Sequence, residues 1–380
     1  MAHYLSYAAG KLDAITALIK EMVECESPSD SPEAVNRFVE LMADKLQGEA
    51  KVKTFSGGKH YGKHLRAEFT LPGKKKSGQI LALGHSDTVW PMGTLKTMPF
   101  RNADSRLWGP GVLDMKAGVA FFIFAMRGLR EMDVQVARKV VLQLNSDEEV
   151  GSHSSRPLTE AAAKQSVAVL VLEPGTGLTG KLKTARKGVG DYSVKVHGVS
   201  SHAGVDFSAG ANAILELARQ IDRIAAFTDL DKGLTVSPGV ISGGTRSNVV
   251  PAEAEVKVDV RIARLRDEAP LQKKFTSLKP FDKRCKIEVT GGLNRPPMER
   301  SAGVVKLYKL AEKLAAEFGL KLEESATGGG SDGNFTAALG IPTLDGLGAV
   351  GEGAHAVNES LLIDRIADRT ALLAKLVAAL

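Results

Sequence analysis

Apolar side chains recur at helical spacing through Leu5, Ala8, Leu12, Ile15, Leu18, Ile19 and Met22, and Pro28 follows, so one amphipathic helix is expected over about 5–23. A second helical pattern covers about 33–47. Beyond it, 52–55, 65–71 and 80–83 read as strands, and the apolar block 118–131 reads as a buried helix. The apolar runs 140–144 and 167–172 flank a helical stretch near 154–165. Runs of this kind are the mark of parallel strands covered on both faces, and they place this part of the chain in the α/β class.

From Gly188 the texture changes to strict alternation, as in 192–196, followed by a helix near 210–226. Alternating strands are expected at 234–241, 253–262 and 285–290, with a helical segment near 267–279 between the last two. This stretch reads as a separate α+β domain. After Pro296 and Pro297, a helix at 302–318, a glycine-rich segment and a terminal helix at 361–380 resume the first texture. An inserted domain therefore interrupts the first one, and no internal repeat is visible.

Composition adds limits. A chain of 380 residues is too long for one ordinary core and fits two. Its 43% apolar and 25% charged residues exclude a disordered or fibrous protein. The longest apolar block, 119–126, falls far short of the ~18 residues needed to span a bilayer, and the start has neither the basic nor the apolar region of a secretory signal. Cys25 and Cys285 form no CxxC pair, which argues against thiolate zinc and a disulfide framework and for free thiols in the cytoplasm. The net charge of +6 is modest, and Lys74-Lys75-Lys76 beside Gly73 reads as a solvated turn. Neither a nucleic-acid nor a membrane partner is expected.

Polar residues suited to metal lie where apolar strands end, the place where open α/β sheets bind ligands. His85 and Asp87 are two apart and face one side of a strand. They are either a ligand with the carboxylate that orients it or a surface polar pair. Asp114, in the glycine-rich helix entry 108–118, is either a carboxylate shared by two cations or a helix cap. Asp147, Glu148 and Glu149 follow a buried strand in a row, and their repulsion is relieved by cations or by water. Glu173 ends another apolar strand, and His355 lies in the flexible loop 351–359. Two imidazoles with several carboxylates and no thiolate are a donor mix that zinc accepts. A pair of ions about 3.5–4 Å apart needs a shared carboxylate, and a further carboxylate must move the proton. The run 327–333 lacks the GKS/T ending of a phosphate loop, so Gly329 and Gly330 read as backbone lining a substrate. Arg186 and Lys187, at the domain boundary, contact an acidic side chain or face water.

The pieces GHSDTV (84–89), GPGVLDMKAG (109–118), SDEEVGS (146–152), LEP (172–174), SSHAG (200–204), SNVVP (247–251) and GAHAVNE (353–359) occur in this order. In them the chain resembles the zinc-dependent family of glutamate carboxypeptidases, aminoacylases, dipeptidases and succinyl-diaminopimelate desuccinylases, over nearly its whole length. The resemblance implies a phosphorylase/hydrolase-like catalytic domain, a mixed sheet flanked by helices, built from 1–186 and 297–380. Into it would be inserted a ferredoxin-like α+β lid and dimerisation domain, 187–296. It further implies two zinc ions, with cobalt or manganese as alternatives. His85, Asp114 and Glu173 would hold one ion, and Asp114, Glu149 and His355 the other.

By the same resemblance Asp87 buttresses His85, Glu148 is the general base, and the Asp114–Met115 peptide is cis. His202 would reach the partner subunit's active site in a homodimer and donate to the developing oxyanion. Asn248 and Arg261 would grip the substrate's carboxylate, a task suited to the guanidinium fork. The implied reaction is hydrolysis of a C-terminal peptide or amide bond in a small peptide or N-acyl amino acid, with glutamate favoured as the residue released. An N-acyl-amino-acid deacylase or dipeptidase is the alternative, and a non-catalytic binding protein the remote one.

Overall fold

The computed structural model describes residues 3–380, which form two compact units. One contains the chain up to Ala185 together with Arg300–Thr327 and Ser331–Leu380, and the other contains Arg186–Glu299 and Gly328–Gly330.

The first unit is built on a mixed six-stranded sheet. Its strands are β1 (Ala50–Phe55), β2 (His64–Phe69), β3 (Gln79–His85), β4 (Lys139–Asn145), β5 (Ser166–Val171) and the short Thr343–Leu344. Their spatial order is β1–β2–β4–β3–β5 followed by Thr343–Leu344. β3 runs parallel to both β4 and β5, whereas β2 is antiparallel to β1 and β4. Alternate residues of β3 feed different cores. Ile80 and Ala82 enter the larger one, while Leu81 and Leu83 pack with Val141, Val169, Val171, Ala162 and Ala163 in a smaller one. Cover on both faces explains the unbroken apolar run. The helix Ala117–Glu131 is buried along most of its length, including Phe121, Phe122 and Ile123.

Two finer expectations fail. In place of one helix over 5–23 there are two, His3–Gly10 and Leu12–Glu24, separated at Lys11, where φ −106° and ψ 9° leave the helix. Gly10, a weak helix former, immediately precedes the break. The terminal helix starts only at Ile366, because Ser360–Leu362 pairs as a strand with Arg106–Trp108. Those strands belong to a small sheet that also includes Arg101–Ala103 and Gly351–Glu352. Elements of two or three residues are too short to show a period. The Lys74–Lys76 turn is also only partly solvated, since the Lys75 ammonium donates to the Pro72 and Val136 carbonyls.

The second unit has a four-stranded antiparallel sheet of β6 (Gly188–His197), β7 (Thr235–Gly243), β8 (Glu253–Ile262) and β9 (Lys286–Arg295). The spatial order is β7–β8–β6–β9, so β7 is an edge. One face buries Val194, Val196, Val256, Val258 and Val260 together with Leu217 of the helix Ala213–Ala225 and Phe275 of the helix Glu268–Thr276. Phe275 stacks on Tyr192 with ring centroids 3.9 Å apart. Among the described residues no helix is long and apolar enough to cross a membrane.

Candidate metal centre

The parallel strands β3, β4 and β5 bring their C-terminal ends to one edge of the sheet, where their last residues lead into His85, Glu148 with Glu149, and Glu173. Gly118 and Gly348 both hug the Leu172 carbonyl beside Glu173, and a Cβ on either would fall 2.1 or 2.0 Å from that oxygen. Asp114 lies in the irregular turn Val112–Lys116, with a cis bond to Met115. Its two carboxylate oxygens face different histidines. Oδ1 is 3.1 Å from His85 Nε2, and Oδ2 is 3.4 Å from His355 Nε2. Glu173 Oε1 is 3.6 Å from His85 Nε2, and Glu149 Oε2 is 3.3 Å from His355 Nε2. Ligand atoms of His85, Asp114 and Glu149 lie within 4.8 Å of one another, as do those of His85, Glu148 and Glu173.

Burial alone would push His85 down, but its bonds to Asp114 and Glu173 hold it well above the ordinary histidine value. Bonds to Asp114 and Glu149 likewise push His355 up to about 11. Burial raises Glu149 to about 7, against the pull of His355. Burial works the same way on Asp114, yet the two imidazoles keep it well below the usual carboxylate range. Negative charge here is concentrated and desolvated, and the two imidazoles offset part of it.

The protein-family model "Peptidase family M20/M25/M40" matches residues 81–379. The chain belongs to that family. Carboxypeptidase G2 of Pseudomonas sp. (strain RS-16) is 30% identical over 356 residues, 92% of this chain and 84% of the relative. A succinyl-diaminopimelate desuccinylase of Cereibacter sphaeroides (strain ATCC 17025) is 29% identical over 378 residues, covering 92% and 94%. The crystal structure of the Bacillus subtilis YXEP protein, described as a dinuclear metal-binding peptidase of the M20 family, shares the fold with a TM-score of 0.69 at 13% identity, covering 98% of each chain. As a member of the M20 family, the chain is a metal-dependent peptidase or amidohydrolase.

The donor set fits a metal pair: it is all nitrogen and oxygen, and Glu149 Oε1 is buried without a hydrogen-bond partner. Around it, the M20 chain departs from the expected wiring at Asp87. His85 Nδ1 donates to the backbone carbonyl of Asp87 at 2.9 Å, while the Asp87 carboxylate is 3.6 Å away. The carbonyl can only accept, so it fixes the proton on Nδ1 and turns Nε2 toward Asp114. The Asp87 carboxylate is taken up elsewhere, accepting from Ser29 Oγ and from the backbone N–H groups of Glu148 and Glu149. Asp87 lies just past the end of β3, which is why strand alternation does not govern it.

Other braces were missed from sequence. Asp332 accepts from Asn145 Nδ2 and Ser152 Oγ, both at 2.5 Å, so one buried carboxylate holds both stems of the segment that carries Glu148 and Glu149. His64 Nδ1 accepts the Ser146 N–H, which leaves Nε2 to donate to Ser154 Oγ, whose hydroxyl donates to Asp147 Oδ2. Burial keeps His64 below its ordinary value and so neutral. Asp332 sits in the glycine-rich segment already singled out, but nothing in its spacing reveals the partners.

In the second unit His202 is exposed, and its Nδ1 accepts the N–H groups of Gly204 and Val205, leaving the proton on Nε2. Asn248 is exposed, and its carbonyl accepts from Ala203 N–H. Arg261 engages Asp259 through Nε and Nη2, and its Nη1 donates to Gly328 O at 3.3 Å. Arg186 does not face water: it is buried and donates to the Gly329 and Gly330 carbonyls. Asp332→Ala strips two buried donors of a charged acceptor, so urea unfolding should show a loss of roughly 2–4 kcal/mol. A loss under about 0.5 kcal/mol, the level of a neutral surface change, would remove Asp332 as a brace.

Proposed function

We propose that this M20 protein hydrolyses a C-terminal peptide or amide bond and releases an amino acid with a free carboxylate, glutamate being favoured. The observation that carries the reading is the split engagement of Asp114, one oxygen toward each of two imidazoles. His85, Asp114 and Glu173 would hold one divalent ion, and Asp114, Glu149 and His355 the second, with zinc the first candidate. Bound there, the pair would supply positive charge that makes a water more acidic and polarises the scissile carbonyl. Glu148 would take the proton from that water and return it to the leaving nitrogen. Its backbone N–H is held by Asp87, which supports a fixed orientation for the side chain.

Arg261 and Asn248 would grip the substrate's carboxylate, with Asp259 steering the guanidinium. His202, with its proton on an outward Nε2, would donate to the oxyanion of a partner subunit. The second unit would thus serve as lid and dimerisation domain. Its edge strand β7 exposes Val240 and Ile241, and the helix Ala213–Ala225 exposes Ile214 and Leu215 near its start, which supports a covered face. The desuccinylase relative keeps N-acyl-amino-acid deacylation as the second reading.

A panel of N-acyl amino acids, dipeptides and C-terminal glutamate conjugates, assayed with zinc, tests the reaction. Glu148→Ala should lower kcat at least ~10²–10⁴-fold while leaving metal content unchanged, and unaltered turnover would remove Glu148 as the base. Arg261→Ala should raise KM about ten-fold or more for substrates with a free carboxylate and leave their amides unaffected. An equal effect on both would sink the carboxylate grip. Mixing inactive His202→Ala and Glu148→Ala chains should restore roughly a quarter of wild-type activity through hybrid dimers. No recovery after confirmed subunit exchange would exclude action across the interface.

A further inference from the structure

We propose that Glu359 is a positioning residue for the metal centre, its carboxylate locking the Asp114 turn to the segment that carries His355. The inference rests on the reading of Asp114 and His355 as ligands. Glu359 is fully buried. Its Oε1 accepts the backbone N–H groups of Leu113 and Asp114 at 2.9 and 3.1 Å, and its Oε2 accepts the Gly111 N–H at 3.0 Å and the Trp90 indole N–H at 2.7 Å. Four donors therefore converge on one side chain, two at each oxygen.

The reason lies in the turn. Asp114 and Met115 have non-helical φ and ψ, and Gly111 is left-handed at φ +72°, so the amides at 111, 113 and 114 point to one side instead of along a helix. Buried N–H groups need an acceptor, and a carboxylate is the side chain that can satisfy several at once while keeping its charge. That charge adds to the field that draws cations toward Asp114. Glu359 also stands four residues after His355. Two backbone bonds, Ala356 N–H to Gly353 O at 2.8 Å and Glu359 N–H to Ala356 O at 2.9 Å, make the intervening chain compact. The Gly109 N–H reaches the Glu359 carbonyl as well, at 3.4 Å. One residue thus couples two ligands that lie far apart in sequence.

Gln is the informative replacement. It has the same shape, but wherever its amide points, an NH2 group faces two N–H donors in place of an acceptor. Metal-free wild type and Glu359→Gln are titrated with Co2+ alone, following stoichiometry, affinity and the visible absorption of the bound ion, with circular dichroism and melting of the metal-free proteins as the fold control. We expect wild type to bind two ions per chain and Glu359→Gln to bind them about 10- to 100-fold more weakly, with an altered Co2+ spectrum. Unchanged affinity and spectrum would overturn the proposal, and so would a variant that melts earlier yet binds Co2+ as wild type does, since that marks a purely structural role. Should Glu359→Gln fail to fold, Trp90→Phe decides, because it removes one of the four donors and leaves the backbone bonds. Co2+ binding weakened about two- to five-fold supports the proposal, and binding equal to wild type overturns it. Failure of wild type itself to take up two ions would instead refute the reading of the metal centre.

Discussion

Asp114 faces His85 with one oxygen and His355 with the other, inside a pocket of further carboxylates that would repel one another if left alone. The surrounding structure is organised to keep that charge in place. Asp87 is neutralised by two backbone N–H groups and a serine hydroxyl, and Asp332 by an asparagine and a serine. These two braces have their own donors, whereas Glu149 Oε1 within the centre is buried without one. That division separates a metal site from an acidic patch, because an exposed patch is screened by water and gains little from positive charge.

The parallel sheet makes this arrangement cheap to build. β3, β4 and β5 end together, and their buried faces need apolar residues only up to the edge, so polar chemistry begins where packing stops. The close approach of Gly118 and Gly348 to the Leu172 carbonyl belongs to the same logic. It draws the helix and the 346–348 backbone tight against the strand end that presents Glu173.

Much of this was legible in the sequence. The two textures of the chain, unbroken apolar runs and then strict alternation, correspond to a strand buried on both faces and to one buried on a single face, as β3 and β8 show. The residues that the fold brings together around Asp114 were singled out because motif order carries information that no single histidine or aspartate does. What escaped had physical reasons. The helix break at Lys11 turns on a local backbone choice that leaves the apolar spacing intact. Strands such as Gly351–Glu352 have no room for a period. The engagement of His85 by a carbonyl instead of a carboxylate depends on where β3 stops. Glu359 finds its backbone donors some 245 to 248 positions earlier, and a backbone N–H leaves no letter in the sequence.

The interruption of the first unit by residues 186–299 has a consequence for synthesis. As the chain emerges in order, the second unit has all but Gly328–Gly330 while the first still lacks Arg300–Thr327 and everything from Ser331 onward, including His355 and the helix Ile366–Ala379 that packs on Ala117–Glu131. The nascent protein therefore carries four of its five candidate ligands through nearly half of translation without the last one. Were these five residues to hold a metal pair, its loading would be deferred until the tail has docked, which would make metal uptake a finishing step of biogenesis tied to the C-terminal segment.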